Sequence, residues 1–232
     1  MSPARRSGAA TAPSTRAVIV GAKRTPFVRA GGELETLDVL DMAKVPVVEM
    51  LAELNLDSAE VEAVIIGNVS RPVKYHNLAR EVVLVSGMSP TTPASTVGLA
   101  CASSCQSFTN AVDMVERGYA GAVLAGGAES LSNVPIQYSP KLARALVRAS
   151  RAKTIVDKAQ TLATVRPADL APVAPAIAET STGLTMGQSA ELMAKLNGIE
   201  RAEQDELAFQ SHTRAAADIE HRAALAWRRS MR

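Results

Sequence analysis

The side chain with the clearest capacity for covalent chemistry is Cys101. An extended apolar stretch runs from Ala94 to this cysteine, and apolar residues then recur at helical spacing. The pattern predicts that Cys101 lies where a buried strand becomes a helix, whose first-turn N–H groups favour the nucleophilic thiolate. A small residue filling a buried corner is the alternative interpretation, because free cysteine is commonly buried. The residues that share the predicted buried helix face are Ala102, Phe108, Ala111, Val112 and Val115.

The segments around Cys101 have a recognisable order of strand, cysteine, helix, strand and glycine turn. The second strand is predicted at residues 122–125, directly before a Gly-Gly pair. This order resembles the thiolase family, whose nucleophile lies in a Cys-x-Ser-[Gly/Ser] motif and whose next strand ends in Gly-Gly-x-Glu-[Ser/Leu]-[Met/Leu]-Ser. The matching segments here are Cys101-Ala102-Ser103-Ser104 and Gly126-Gly127-Ala128-Glu129-Ser130-Leu131-Ser132.

The resemblance implies an acyltransferase that works through a cysteine thioester. Cys101 would be the nucleophile, acyl-CoA and coenzyme A would be the substrates, and no metal or prosthetic group is implied. Cys105 lies one helical turn later, and we expect it to pack in the core.

The preceding residues predict alternating strands and helices. Strands are predicted at residues 17–22 and 63–69, and helices at residues 36–54 and 77–86. Thr36 or Asp38 is available to cap the first helix, in which Pro46 predicts a kink or a break. Such alternation favours a parallel sheet covered on both faces. The resemblance refines this to an α/β fold, a thiolase-like N-terminal α/β/α domain with a mixed sheet.

Residues after 131 resemble the thiolase loop domain, a largely helical region that covers the active site and helps to hold coenzyme A. Residues 138–162 are basic, rich in alanine and predicted to be helical, and residues 166–179 have loop character. The segment Met186-Gly187-Gln188-Ser189-Ala190-Glu191 matches the family's Met-Gly-x-[Ser/Thr]-Ala-Glu signature and opens a predicted helix. The resemblance makes Met186 and Gly187 candidate substrate-binding residues, although core packing of Met186 is the alternative. Asn133-Val134-Pro135-Ile136 and Leu170-Ala171-Pro172 favour the β-subunit type of the fatty-acid oxidation complex.

We therefore predict four segments. Residues 1–15 form a disordered tail, residues 16–130 the core domain, residues 131–223 the loop domain and residues 224–232 a tail without family character. The family's C-terminal domain, which supplies a Gly-His-Pro histidine and a Cys-x-Gly-Gly cysteine, is expected to be absent. None of the three histidines, His76, His212 and His221, precedes a proline, and we expect all three at the surface.

Two functions follow from this arrangement. The chain is either the N-terminal portion of an acyl-CoA C-acyltransferase of fatty-acid β-oxidation or an inactive thiolase-like subunit that binds a partner or coenzyme A. In either case we expect a homo-oligomer or a complex with a chain that supplies the missing half. Asn77 and Arg80, in the family's Asn-x-Ala-Arg pattern, are expected to be structural.

Composition and charge argue against several classes of protein. The formal net charge of +2 gives no electrostatic case for nucleic acid, and no apolar run has the length of a membrane span. Two cysteines four residues apart form neither a disulfide framework nor a zinc site. A reducing compartment, the cytoplasm, is the simplest location, with the mitochondrion as the alternative if residues 1–15 are a transit peptide.

Overall fold

A three-stranded parallel sheet lies at the centre of the N-terminal part of the computed structural model, which describes residues 16–173 and 178–230. Strand β1 (Ala63–Gly67) lies between β2 (Ala94–Val97) and β3 (Val123–Gly127). In the register, Val64 is paired with Ala94 on one side and with Leu124 on the other. Every strand pair described is parallel, so the expected mixed sheet is not found within these residues.

Helices lie on both faces of this sheet, as predicted. Helices α1 (Val39–Leu54) and α2 (Leu78–Val85) share a core cluster with Val64 and Ile66 of β1. Helix α3 (Ser103–Glu116) packs against β1 and β3. Because side chains alternate across a strand, Gly67 points to the face opposite Ile66, and α3 lies against that glycine.

Helix α1 runs through Pro46 without a break into two pieces. Its buried residues Val39, Ala43 and Val47 recur every four positions and pack into the core on both sides of the proline. This packing compensates for the hydrogen bond that proline removes, which costs roughly 3 kcal/mol in an isolated helix. Asp38, one of the two predicted caps, occupies the N-cap position.

Asp38 and Tyr75 connect the start of α1 to the segment before α2. The Tyr75 hydroxyl donates a 2.8 Å hydrogen bond to the Asp38 carboxylate. That hydrogen bond, together with burial, raises the pKa of Tyr75 to about 12. Burial alone would raise the pKa of Asp38, but hydrogen bonds from Tyr75, the Leu40 N–H and Lys74 outweigh it and lower that pKa.

The prediction of a buried strand at residues 17–22 is wrong. The segment has no assigned strand, and Val18, Ile19 and Val20 are 76%, 71% and 73% exposed. A run of β-branched residues favours an extended backbone, but a strand also needs a neighbouring edge that pairs with it. The sheet order places β2 and β3 at the edges, and neither pairs with this segment.

The chain divides into two units between Ile136 and Gln137. The second unit contains α4 (Pro140–Arg151), α5 (Ile155–Ala163), α6 (Met186–Asn197) and α7 (Arg201–Ser230). The helical character predicted for residues 138–162 is confirmed, and the region forms two helices, because the Thr154 side chain caps a new N-terminus by accepting from the Asp157 N–H. The helices predicted at Met186 and Arg201 are confirmed, and Gly198, in the left-handed conformation, ends α6.

Among the helices described, none combines the length and the apolar character needed to cross a membrane. Residues 1–15, predicted to be a disordered tail, lie outside the described residues, as do residues 174–177 of the predicted loop and the last two residues of the predicted C-terminal tail.

Candidate active site

Cys101 lies in the loop of residues 98–102 that connects β2 to α3, and it is exposed. β2 ends at Val97 and α3 begins at Ser103. The cysteine therefore precedes the helix by two residues, rather than forming a direct junction between strand and helix. Its exposure is inconsistent with the alternative of a buried corner residue and leaves the thiol accessible.

The loop is fixed by the first residue of α3. The Leu99 N–H donates to Ser103 Oγ at 2.8 Å, and the Ser103 hydroxyl donates to the Ala100 carbonyl at 2.6 Å. Ser103 itself is 3% exposed. Ala100 has a φ of 43°, a left-handed conformation that costs a non-glycine residue roughly 1–2 kcal/mol. Strain of this kind is typical of functional sites and persists only where surrounding contacts enforce it. Here the Ser103 hydrogen bonds hold Ala100, the residue before Cys101, in the strained conformation.

The first turn of α3 lies directly on the ends of β1 and β3. A Cβ at Gly67 would lie 2.4 Å from the Ser103 carbonyl carbon, and one at Gly127 would lie 2.7 Å from Ser104 Cβ. Only glycine permits this approach. The buried face of α3 consists accordingly of small residues, Ser103, Ser107 and Ala111.

The apolar face predicted for α3 is therefore wrong in two of its five members, whereas Val112 and Val115 are half-buried. Ala111 is buried, but Ala102 is exposed and Phe108 is 47% exposed. The close contact with two glycine-ended strands excludes larger side chains from the face that lies against the sheet. A polar residue, Ser107, fits there because its hydroxyl lies 2.6 Å from the Gly126 carbonyl and 2.7 Å from the Ser104 carbonyl.

A carboxylate links the segments that follow β1 and β3. Glu129 accepts hydrogen bonds from the Val69 N–H at 2.8 Å and the Ser70 N–H at 3.1 Å. The Asn68 side-chain amide donates to the Ala128 carbonyl at 2.9 Å, while its Oδ1 is buried without a partner in the described residues. Both segments and the Cys101 loop follow the carboxyl ends of parallel strands, the edge at which open α/β sheets place their ligand sites.

The sequence patterns indicate Glu129 only as part of a motif and do not indicate Asn68 as a site residue. Asn68 follows β1 by one position and Glu129 follows β3 by two. The predicted strand bounds concealed this signal, because Asn68 falls inside the strand predicted at residues 63–69 and Glu129 lies four positions after the one predicted at residues 122–125. No three His, Cys, Asp or Glu side chains in residues 16–173 and 178–219, the part of the chain whose side chains are described, are arranged to hold a metal ion.

The other candidate residues have the following positions. Cys105 is exposed, so its predicted core packing is wrong: it lies on the side of α3 away from the sheet. His76 and His212 are exposed, as expected, and His221 lies in α7. The structural roles expected of two further residues are confirmed: Asn77 caps α2 and accepts from the Thr96 hydroxyl, and Arg80 donates to the Thr92 carbonyl.

Met186 and Gly187 lie in the second unit, whereas Cys101 lies in the first. Met186 opens α6 and is 74% exposed, which contradicts the alternative of a core residue. Gly187 follows in the first turn, where an added Cβ would meet no atom within 4 Å. Both residues are therefore open to a ligand.

Comparisons with known proteins agree on one family. The model described as "Thiolase, N-terminal domain" matches residues 17–223. Proteins named 3-ketoacyl-CoA thiolase from Photobacterium profundum and Vibrio cholerae are each 45% identical over 201 residues, which cover 87% of this chain and 46% of each relative. The chain thus spans about half the length of the curated relatives it matches.

Two solved structures have a similar fold. The Acat5 thiolase from Ascaris suum, crystallised in complex with coenzyme A, has a TM-score of 0.65 at 22% identity, covering 83% of this chain and 46% of its own. The acetyl-CoA acetyltransferase of Bacillus anthracis has a TM-score of 0.60 at 23% identity, with coverages of 82% and 44%.

Proposed function

The chain belongs to the thiolase family, and on that basis we propose that it carries the nucleophile of an acyl-CoA C-acyltransferase of fatty-acid β-oxidation. The substrates would be a 3-ketoacyl-CoA and coenzyme A. The observation that carries the proposal is the exposed Cys101, held by the Ser103 hydrogen bonds between a strand end and a helix N-terminus. No cofactor takes part in the proposed reaction.

The proposed reaction has two half-steps. The Cys101 thiolate attacks the 3-keto carbonyl, the C2–C3 bond breaks, and its electron pair stays on C2, which takes a proton so that acetyl-CoA leaves. The acyl group is then held on Cys101 as a thioester. Coenzyme A gives its thiol proton to a base and attacks this thioester, releasing acyl-CoA and restoring the thiolate.

Stabilisation of the tetrahedral intermediate needs hydrogen-bond donors beside the reacting carbonyl. The backbone N–H of Cys101 is the donor we propose from this chain. The second donor and the base would come from the remaining half of the enzyme, in the same chain or in a partner chain, and a homo-oligomer is also consistent with the proposal. Met186 and Gly187 would contact the pantetheine or acyl part of the substrate, which their exposure supports.

Intact-protein mass spectrometry tests the acylation step. The chain is mixed with acetoacetyl-CoA at neutral pH, and the expected product is a single acetyl adduct that Cys101→Ser abolishes. Cys105→Ser is the matched control, because this second cysteine is also exposed and lies one turn away. An adduct that persists in Cys101→Ser, or that disappears in Cys105→Ser, contradicts the assignment.

A second candidate is a thiolase-like subunit that binds a partner or coenzyme A without turnover. These 232 residues contain no Gly-His-Pro or Cys-x-Gly-Gly motif, so acylation of Cys101 in this chain distinguishes the two candidates. A folded chain that binds coenzyme A but forms no adduct, even with the complementary half added, would support it. We propose the cytoplasm as the location, because the two 45% identical relatives come from bacteria.

A further inference from the structure

Residues 68–71, here named the linking segment, follow the central strand of the sheet. Gly67, the last residue of β1, is paired with Val97 of β2 and with Gly127 of β3, which end those two strands. The Cys101 loop follows Val97 directly. The linking segment therefore leaves the sheet between the Cys101 loop on one side and the segment after β3 on the other.

The linking segment contacts the start of the Cys101 loop at two points. The Asn68 N–H donates to the Val97 carbonyl at 3.0 Å, which continues the pairing of β1 and β2 by one residue. The Arg71 guanidinium lies next to Gly98, because a Cβ added to this glycine would be 3.0 Å from Arg71 Nη2 and 3.8 Å from the Asn68 carbonyl oxygen. These contacts determine where the chain leaves β2 and enters the Cys101 loop.

The Glu129 carboxylate holds the linking segment from the other side. Its Oε2 accepts from the Val69 N–H at 2.8 Å and from the Ser70 N–H at 3.3 Å, and its Oε1 accepts from the Ser70 N–H at 3.1 Å. The Asn68 side-chain amide donates to Glu129 Oε1 at 3.4 Å and to the Ala128 carbonyl at 2.9 Å. Three successive residues of the linking segment thus donate to one carboxylate.

Hydrogen bonds, rather than burial, restrain most of the linking segment. Val69 is 53% exposed, Arg71 is exposed and Ser70 is half-buried. Without the Glu129 carboxylate, water could satisfy the Val69 and Ser70 N–H groups in many backbone conformations. The contacts of the segment with the Cys101 loop would then no longer have a single geometry.

Glu62 forms the same kind of link at the opposite edge of the sheet. It precedes β1 by one residue, and its carboxylate accepts from the N–H of Gly121, two residues before β3, at 2.6 Å. Glu62 and Glu129 are both exposed, and both connect the ends of β1 and β3. Only Glu129 lies at the edge that carries Cys101, so Glu62 separates a general contribution to sheet stability from an effect on the nucleophile.

We propose that Glu129 is a positioning residue for the Cys101 nucleophile and acts through the linking segment on the start of the Cys101 loop. A displacement of about 1 Å caused far from the reacting atoms can slow a reaction by about a hundredfold. The inference rests on the proposed acyl transfer to Cys101, and its test therefore includes one measurement that does not need that reaction.

The first measurement is the rate of Cys101 acetylation by acetoacetyl-CoA, followed by mass spectrometry of the 232-residue chain over a range of substrate concentrations. Glu129→Ala should lower the rate at saturating substrate at least about tenfold and change the half-saturating concentration less than about twofold, because the carboxylate positions the nucleophile and does not contact the substrate.

Two variants serve as controls for Glu129→Ala. Glu129→Gln should stay within about threefold of the wild-type rate, because one amide oxygen at the Oε2 position can accept from both the Val69 and the Ser70 N–H. Glu62→Ala should leave the rate unchanged although it removes a comparable link between β1 and β3. Circular dichroism checks the fold of each variant, and neither alanine substitution leaves a buried cavity, because both glutamates are exposed.

Hydrogen exchange of the peptide that covers residues 97–103 is the second measurement. Exchange should be about tenfold faster in Glu129→Ala and unchanged in Glu62→Ala, since local opening of the loop sets its rate. A wild-type chain that forms no acetyl adduct contradicts the acyl-transfer proposal, whereas hydrogen exchange still shows whether Glu129 holds the loop. The positioning role is overturned if Glu129→Ala exchanges like the wild type, if Glu62→Ala has an equal effect, or if Glu129→Gln is as impaired as Glu129→Ala.

Discussion

Gly67 and Gly127 are paired in register at the carboxyl ends of β1 and β3, and the first turn of α3 lies on both. The two glycines are 60 positions apart in the sequence, yet together they form the surface on which Ser103 and Ser104 rest. Because Ser103 also holds the Cys101 loop, the position of the nucleophile depends on the absence of side chains at these two positions.

Gly67→Ala should therefore disturb both stability and chemistry. The new Cβ would lie 2.4 Å from the Ser103 carbonyl carbon and 2.5 Å from the Ser104 N, so backbone must move. We expect a loss of about 3 kcal/mol in the free energy of unfolding, the upper range for overpacking, and slower acetylation of Cys101. Urea denaturation and mass spectrometry measure the two effects.

Gly126→Ala is the matched control, because an added Cβ there meets no atom within 4 Å. This variant should change stability by less than about 1 kcal/mol. If Gly67→Ala behaves like Gly126→Ala, α3 does not rest on Gly67 as described.

Ser103→Ala tests the hydrogen bonds of the nucleophile loop. The substitution removes the acceptor of the Leu99 N–H and the donor to the Ala100 carbonyl. A hydrogen bond contributes about 1 kcal/mol to the free energy of unfolding, so the loss of both should destabilise the chain, and the loop around Cys101 should become less ordered. Ser104→Ala is the control, because the Ser104 side chain is exposed and forms no hydrogen bond in the described residues. Equal effects of the two substitutions would contradict the conclusion that the Ser103 hydrogen bonds hold the Cys101 loop.

Ala100→Gly should stabilise the chain. Glycine relieves the left-handed strain at φ 43°, which costs roughly 1–2 kcal/mol, but it loses about 0.5–1 kcal/mol more backbone entropy on folding. The expected net gain in the free energy of unfolding is up to about 1 kcal/mol. Ala111→Gly, in the middle of α3, should instead lose about 1 kcal/mol. Thermal denaturation measures the stability of both variants against the wild type. A loss of stability in Ala100→Gly would show that Ala100 is not strained.

The sequence patterns correctly predict the strands and helices that are specified by signals within their own segments. The strands around residues 64 and 124 and the starts of α6 and α7 lie where they were predicted, because hydrophobic runs and capping residues are local signals. The division of residues 138–162 into two helices depends on one cap, Thr154, that lies inside an otherwise helical pattern.

Other features depend on contacts distant in sequence and were not predictable in the same way. The face of α3 that packs against the sheet is determined by Gly67 and Gly127, so it selects small residues rather than the apolar ones that helical spacing indicated. The residues at 17–22 have the composition of a strand, but composition does not specify which edge pairs with them. The link from Glu129 to Val69 and Ser70 likewise joins segments about 60 residues apart.

Tyr75→Phe tests the bond between Asp38 and Tyr75 through its pH dependence. Since folding raises the pKa of Tyr75 from 10 to about 12, the hydrogen bond stabilises the fold fully below pH 10, and this contribution is lost as the pH rises through 12. Since folding lowers the pKa of Asp38 from 3.8, the contribution is also lost as the pH falls below that value. At neutral pH the variant should lose about 1 kcal/mol.

Urea denaturation of the wild type and Tyr75→Phe at several pH values measures this difference. The stability difference should be constant at intermediate pH and shrink at both extremes. Tyr119→Phe is the control, because Tyr119 is 74% exposed and its hydroxyl has no hydrogen bond in the part of the chain that the structure describes. A Tyr75→Phe difference that stays constant to pH 12 would contradict the assigned bond, because an ionised tyrosine cannot donate to a carboxylate.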